Sequence, residues 1–146
     1  MESLPESNSN PASDSIMQIS IRAPIESDRA FIMSSWLRGN RFGGNDFFTQ
    51  VPQDVYFAEY TKVIDNILNS DSTLIRVASD AQQPLWTAGY SVSRGSILYW
   101  VYVKPEYRKQ RIATLLLANQ HIEVVKSTTK IGRAITYKKN LIFNPF

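Results

Sequence analysis

The sequence contains no cysteine and only one histidine, His121, among its 146 residues. Without cysteine the chain has neither disulfide bonds nor thiolate ligands for zinc. A single histidine cannot form a histidine-rich metal cluster. Because a helical pattern surrounds His121, we expect an exposed helix residue there rather than the base of a Ser-His-Asp triad. Metal chemistry and triad hydrolysis are therefore disfavoured.

Long apolar runs are also missing, since no stretch approaches the roughly 20 residues that span a bilayer. The first fifteen residues hold five serines, two asparagines and two prolines, but few large apolar side chains. This segment lacks the basic start and apolar stretch of a signal peptide. It also buries too little surface to offset its ordering entropy. We expect residues 1–15 to form a flexible polar tail and residues 16–146 to form one soluble, cytoplasmic domain.

Acidic side chains become scarce towards the end of the chain. Residues 101–146 carry nine basic and two acidic side chains, whereas residues 1–100 carry seven basic and eleven acidic ones. A basic segment suits a polyanion, either a nucleic acid or a phosphorylated cofactor. Nucleic-acid binding is disfavoured because no recognisable binding module is present and the aromatic residues do not interleave with the basic ones.

Hydrophobic periodicity predicts an α/β domain with the element order β-α-α-β-β-β-α-β. Strands are expected at 16–22, 73–79, 85–92, 96–103 and within 131–143, and helices at about 28–38, 52–68 and 111–126. Gly39 is expected to end the first helix. Because short turns join the three middle strands, we expect an antiparallel meander. The predicted fold is a mixed, mostly antiparallel central sheet flanked by helices.

The most informative segment is 101–117, VYVKPEYRKQRIATLLL, where a strand leads through a basic turn into a helix. The first N–H groups of a helix lack intrahelical acceptors and lie at the positive end of its dipole. Such a turn suits an anion such as a pyrophosphate. Arg108, Lys109 and Arg111 add positive charge there. The alternative interpretation is an ordinary helix start with solvated charges.

This segment resembles the GNAT superfamily of N-acetyltransferases, in which a V-x-V strand end precedes P-x-Y/F-R and then [Q/R]-x-x-G-x-[G/A]. The matching residues here are Val101-Tyr102-Val103, Pro105, Tyr107, Arg108, Ile112 and Ala113. Arg111 stands where the family has its middle glycine. A positive φ at Arg111 would carry a steric cost, and its guanidinium would either crowd a pyrophosphate or contact it.

The resemblance implies a GNAT-like fold, acetyl-coenzyme A as cofactor and acetyl transfer to an unidentified amine. It implies that turn N–H groups hold the pyrophosphate and that Val101 and Val103 pair with the pantetheine amides. A backbone N–H near Val101 would polarise the thioester carbonyl. The implied cofactor-binding residues are Val101, Tyr102, Val103, Arg108, Lys109, Gln110, Arg111, Ile112, Ala113 and Thr114.

Proton transfer and acceptor binding have weaker candidates. The resemblance implies that Tyr137 protonates the leaving thiolate, although a strand position is the alternative. Glu106 is the nearest carboxylate, and a solvated charge is its alternative. In this family the region of the first helix often lines the acceptor pocket, which here holds Trp36, Phe42, Phe47 and Phe48, with core packing as the alternative.

Two functions stay open at this point. The first is an acetyl-coenzyme A-dependent N-acetyltransferase whose acceptor is a small molecule or a protein. The second is a GNAT-shaped structural or interaction protein that assembles with itself or with a bacteriophage particle. The second is favoured by the lack of a carboxylate on the strand before the turn, by Arg111, by the short C-terminus and by the polar tail. Residues 31–38, 52–57 and 141–146 also loosely resemble small GNAT-like proteins of tailed bacteriophages. A phage origin would place the chain in the host cytoplasm or the virion.

Overall fold

The computed structural model describes residues 18–42, 48–108, 110–126 and 142–143. Its strands are β1 (Ile19–Arg22), β2 (Leu74–Asp80), β3 (Thr87–Arg94), β4 (Ile97–Val103), β5 (Val124–Val125) and β6 (Ile142–Phe143). Its α-helices are α1 (Asp28–Phe42), α2 (Gln53–Asn69) and α3 (Ile112–Leu116), with short 3-10 helices at Phe48–Gln50 and Pro105–Tyr107. The predicted tail at residues 1–15 and the predicted site residues Phe47, Lys109 and Tyr137 lie outside the described residues.

Within the described ranges the six strands form one sheet in the order β1-β2-β3-β4-β5-β6. Strands β1 to β4 pair antiparallel, each with the next, and short connections such as the turn at Gly95 (φ 58°) allow this. Strand β5 joins β4, and β6 joins β5, in parallel. The predicted fold class, a mostly antiparallel sheet flanked by helices, is therefore confirmed.

The sheet buries side chains on both faces. Helices α1 and α2 cover one face, where the large buried side chains are Ile32, Trp36, Tyr56, Ile64, Tyr90 and Trp100. Helix α3 covers the other face, where the buried side chains include Ala88, Leu98, Val101, Val103, Ile112, Leu116 and Val125. Strand β4 contributes to both clusters, so its geometry is fixed from two sides.

Helix α1 begins at Asp28, whose carboxylate accepts a hydrogen bond from the Ile25 N–H at 2.8 Å and pairs with Arg22 at 2.7 Å. Burial alone would raise the pKa of this carboxyl. The hydrogen bonds from Arg22 and Ile25 and the positive charge of Arg22 outweigh burial and hold the pKa below its ordinary value of 3.8. The ion pair therefore joins β1 to α1 at any pH above the lowered pKa of Asp28. Its contribution to stability is lost as the pH falls through that pKa and the carboxylate is protonated.

The prediction that Gly39 ends the first helix is wrong, because α1 continues to Phe42. A Cβ atom at Gly39 would lie 2.8 Å from Cζ2 of Trp100. The indole of Trp100, which also stacks on Trp36 at 5.8 Å between ring centroids, occupies the space that a side chain would need. Gly39 therefore serves close packing of the helix on the sheet rather than termination.

The predicted helix at 111–126 is also wrong in length, since α3 ends at Leu116 and Val124–Val125 is a strand. Side chains from elsewhere bind the last carbonyls of the helix. Arg76 of β2 donates to the carbonyls of Leu116 at 3.3 Å and Ala118 at 2.7 Å, and Gln120 donates to the Leu116 carbonyl at 2.9 Å. The chain then turns and adds β5 beside β4, which places one more strand in the order than predicted.

His121 lies in the connection between α3 and β5 rather than within a helix. It is exposed, as predicted, and its Nε2 is 2.9 Å from a carboxylate oxygen of Glu123. The residues that the structure describes contain no group of three side chains arranged for a metal ion. None of their helices combines the length and the apolar character needed to cross a membrane.

Candidate active site between strands β4 and β5

Strand β4 contains a β-bulge at Tyr99. Val92 of β3 pairs with Trp100, whereas the next β3 residue, Ser93, pairs with Leu98, so Tyr99 is the extra residue. The side chains agree with this register. Tyr99 and Trp100 both pack on the face covered by α1 and α2, whereas Leu98 and Val101 pack on the face covered by α3.

The bulge changes which residues of β4 direct their main-chain groups towards β5. Before it, the carbonyl of Ser96, just ahead of β4, accepts from the Val124 N–H at 3.2 Å. The Leu98 carbonyl accepts from the N–H of Lys126, the residue after β5, at 2.9 Å. Beyond it, the Lys104 N–H donates to Ala88 of β3 at 2.8 Å. Since antiparallel pairs alternate, Val101 and Val103 therefore direct their N–H and C=O groups away from β3.

The pairing of β4 with β5 is limited to the start of β4. The described register joins only Ile97 to Val124 and Leu98 to Val125, on the near side of the bulge. The main-chain groups of Val101 and Val103 lie on the same edge of β4 but beyond that pairing. An extended ligand with amide groups can add to such an edge as a further strand.

The turn after β4 contains the predicted cofactor residues Arg108 to Thr114 and contacts this edge through Arg108. The Arg108 Nε donates to the Val103 carbonyl at 2.8 Å, so this side chain folds back onto β4. Ile112 is buried, Ala113 is half-buried, and both pack in the cluster under α3. Gln110, Arg111 and Thr114 are exposed. The turn therefore presents polar side chains to solvent while Ile112 fixes it to the core.

Arg111 has a left-handed backbone, with φ 61° and ψ 24°, directly before α3. This conformation suits glycine, because an L-residue brings its Cβ close to the following carbonyl oxygen at a cost of about 1–2 kcal/mol. The positive φ considered from the sequence is therefore present. The left-handed backbone explains why the motif that this segment resembles has glycine at this position. Arg111 adopts the same conformation with backbone strain.

We expect Arg111→Gly to raise the free energy of unfolding by about 0.5–1 kcal/mol, because glycine relieves the strain but loses more chain entropy on folding. Urea denaturation measures this change. Arg38→Gly, at an exposed position inside α1, removes the same charge and should instead lower stability by about 1 kcal/mol. Equal losses in both variants would contradict the strain at Arg111.

The predicted acceptor-pocket aromatics have different environments. Trp36 is only 2% exposed and stacks on Trp100, a placement that favours the core-packing alternative. Phe42 is 59% exposed at the end of α1. Phe48 is half-buried, with ring centroids 5.6 Å from Tyr56 and 5.3 Å from Tyr60. Of the three, Phe42 is the most accessible to a ligand.

The predicted proton-transfer residue Glu106 is exposed in the 3-10 helix that follows β4. Sequence reasoning missed a polar network between β3 and α1. The Tyr90 hydroxyl is 2.7 Å from the Ser35 hydroxyl and donates to the Ile32 carbonyl at 3.1 Å. Burial raises the pKa of Tyr90, so its phenol stays neutral. The alternation of large and small residues along β3 could have indicated this network, because it predicts that the Tyr90 side chain is buried.

No protein-family model and no curated protein matches the sequence. Solved structures are similar in fold. A predicted acetyltransferase from Clostridium acetobutylicum, solved with acetyl-CoA, superposes with a TM-score of 0.58, 18% identity, and coverage of 85% of this chain and 90% of that one. This likeness concerns the fold alone.

Two further structures superpose with a TM-score of 0.49, too low to add to the argument. They are apo YjaB from Escherichia coli, at 17% identity over 69% of this chain, and a GCN5-related N-acetyltransferase from Rhodopseudomonas palustris, at 15% over 70%. The chain spans 63% of the length of each. None of the three is described as a bacteriophage protein, so that resemblance stays a prediction. The chain therefore shares its fold with the Clostridium acetobutylicum structure, a predicted acetyltransferase.

Proposed function

We propose that the chain is an acetyl-coenzyme A-dependent N-acetyltransferase acting on an amine. The observation that supports this most is the edge of β4 beyond the Tyr99 bulge. There, Val101 and Val103 direct main-chain donors and acceptors away from β3, past the described β4–β5 pairing. These groups fit the amides of a pantetheine arm, which can pair with them as a short strand does.

Each part of the site has a separate role in this proposal. Val101 and Val103 hold the pantetheine, and the turn from Arg108 to Thr114 holds the pyrophosphate through its main chain. The carbonyl of Val103 already accepts a hydrogen bond from Arg108, and its second lone pair is available to a ligand N–H. Tyr102, between the two valines, pairs with Tyr90 of β3.

Acetyl-coenzyme A bound there supplies a thioester: the acceptor nitrogen bonds to its carbonyl carbon, the carbon–sulfur bond breaks, and a proton from nitrogen ends on the departing thiolate. The Val101 N–H is the donor that we assign to the developing negative charge on the carbonyl oxygen. Glu106 and Tyr137 remain the predicted proton-transfer groups. Phe42 is the accessible aromatic residue of the predicted acceptor pocket.

A second candidate function is a structural or interaction protein with this fold, in a bacteriophage particle or elsewhere. The arginine at the family's glycine position favours it, because glycine also lets a ligand approach the main chain closely, and a chain that binds no ligand in this turn does not need that approach. The two functions differ in one measurable property, the binding of acetyl-coenzyme A.

Thermal unfolding with and without acetyl-coenzyme A tests the proposal. A ligand at one hundred times its dissociation constant stabilises the folded state by about 2.7 kcal/mol, which corresponds to a shift of about 5–10 °C for a chain of this size. Titrating acetyl-coenzyme A, with ATP as a phosphate-bearing control, should give a shift with the former alone. An unchanged unfolding temperature would overturn the proposal and favour the structural function.

The position of the site is tested by tryptophan substitution. Ala113→Trp should abolish the shift by acetyl-coenzyme A, because the indole fills the turn beside the β4 edge. Ala118→Trp, at an exposed position just after α3, adds the same side chain away from the turn and should keep the shift. Both are compared with their own unfolding temperatures without ligand. An unchanged affinity in Ala113→Trp would place the site elsewhere.

A further inference from the structure

Two aromatic rings and two cations form a cluster at the end of β4. The rings of Phe31 and Tyr102 meet edge to face, with their centroids 6.0 Å apart. The Lys104 Nζ lies 5.1 Å from the Phe31 ring centroid, and the Arg108 Cζ lies 5.9 Å from that of Tyr102. We call these four residues the Phe31–Tyr102 cluster. It presents a positive charge at each end of an aromatic pair.

The cluster adjoins the proposed acetyl site. Tyr102 lies between Val101 and Val103, but its ring packs on the face covered by α1 and α2. Arg108 connects the two features, because its Nε donates to the Val103 carbonyl while its guanidinium lies over the Tyr102 ring. A molecule resting on the cluster is therefore next to the main-chain groups that would hold the acetyl thioester.

Neither cation of the cluster has a carboxylate partner among the described residues. The acidic side chains that form ion pairs in the described part of the chain have other partners: Asp28 pairs with Arg22, Asp65 with Arg29, Glu59 with Lys62 and Glu123 with His121. Glu106 lies in the same turn but forms no ion pair with Lys104 or Arg108. Aromatic faces attract cations without neutralising their charge.

We propose that the acceptor of this enzyme is an amine that also carries a carboxylate, which binds to the Phe31–Tyr102 cluster. This inference rests on the proposed acetyltransferase function and names its substrate class. A guanidinium can hold a carboxylate through two parallel hydrogen bonds, and the two Nη groups of Arg108 make no hydrogen bond within the described structure. The Lys104 ammonium attracts the same charge. A polyamine, in contrast, meets two like charges at this entrance.

The test compares amines that differ only by a carboxylate. Phenylalanine is paired with phenethylamine, and lysine with cadaverine, each as acceptor with acetyl-coenzyme A. Release of the free thiol is followed with a thiol reagent, and the absence of cysteine means that the protein gives no background. The carboxylate-bearing member of each pair should have a kcat/KM at least about tenfold higher. Equal or faster reaction of the decarboxylated amine would overturn the inference.

A variant distinguishes acceptor binding from cofactor binding. Lys104→Gln should reduce the preference for the carboxylate by about fivefold, through KM, and leave the thermal shift by acetyl-coenzyme A unchanged. Lys62→Gln removes the same charge from an exposed position on α2 and should alter neither property. If Lys104→Gln instead weakens acetyl-coenzyme A binding and keeps the preference, the cations serve the cofactor phosphates and the inference is wrong.

The failure of this inference and the failure of the proposed function give different results. If the protein binds acetyl-coenzyme A and releases thiol faster with cadaverine than with lysine, the result supports the proposed function and contradicts the inference about the acceptor. If acetyl-coenzyme A causes no thermal shift and no thiol is released, the result contradicts both the proposed function and the inference. Because Lys104 is half-exposed and its Nζ lies 5.1 Å from the Phe31 ring centroid, Lys104→Gln should lose no more than about 1 kcal/mol of stability without ligand.

Discussion

Replacing Gly89 by alanine is expected to lower the free energy of unfolding by about 2–3 kcal/mol. Gly89 pairs with Val103 at the end of β4, and a Cβ atom there would overlap the Tyr102 carbonyl oxygen and lie 3.1 Å from the Val103 Cα. Both neighbours are main chain and cannot rotate away. The β3–β4 ladder would have to move apart beside the proposed site. Urea denaturation followed by circular dichroism measures the loss.

Gly95→Ala is the matched control for that prediction. Gly95 has φ 58° in the turn between β3 and β4, and a Cβ atom there meets nothing within 4 Å. Alanine at Gly95 therefore carries only the left-handed backbone cost of about 1 kcal/mol. A loss in Gly89→Ala no larger than that in Gly95→Ala would show that β3 and β4 are less closely apposed than the structure has them.

The three-strand meander β2–β4 and the first two helices were predictable because local signals agree there. Alternating residues bounded by Asp80–Pro84 and Ser93–Gly95 fixed the strands within about two residues. The turn between β4 and α3 was predictable from its match to a family motif, and its role in cofactor binding stays a prediction. The structure adds the reason for that motif, since the residue at the family's glycine position, Arg111, does adopt the left-handed conformation.

Other features depend on contacts between residues that are distant in sequence. Helix α3 ends where Arg76, forty residues earlier, reaches its last carbonyls. In the sequence Gly39 indicates the end of a helix, whereas in the structure it allows close contact with Trp100. The Tyr99 bulge could not be predicted, because every residue of Ile97–Val103 is apolar or aromatic. Such a strand has no alternation of polar and apolar residues that an extra residue would interrupt. The bulge is also the feature that turns Val101 and Val103 towards the proposed ligand.

That arrangement predicts the effect of Val101→Pro, which removes one N–H group from the edge of β4. The N–H of Val101 points away from β3, so proline there breaks no hydrogen bond of the β3–β4 ladder. If this N–H stabilises the charge on the thioester oxygen, its loss should lower kcat by about 10²- to 10³-fold, the effect of removing one oxyanion donor. The rate of thiol release with the best acceptor measures it.

Val101→Ala separates the donor from the side chain. The valine is 1% exposed in the cluster beneath α3, so both substitutions lose packing, but alanine keeps the N–H. Val101→Ala should lose stability and retain kcat within a few-fold, whereas Val101→Pro should fold and lose turnover. Equal kcat values in the two variants would exclude a catalytic role for this N–H. A deficit confined to Val101→Pro would mean that the one-residue bulge at Tyr99 creates the catalytic donor, because it makes the N–H of Val101 face away from β3.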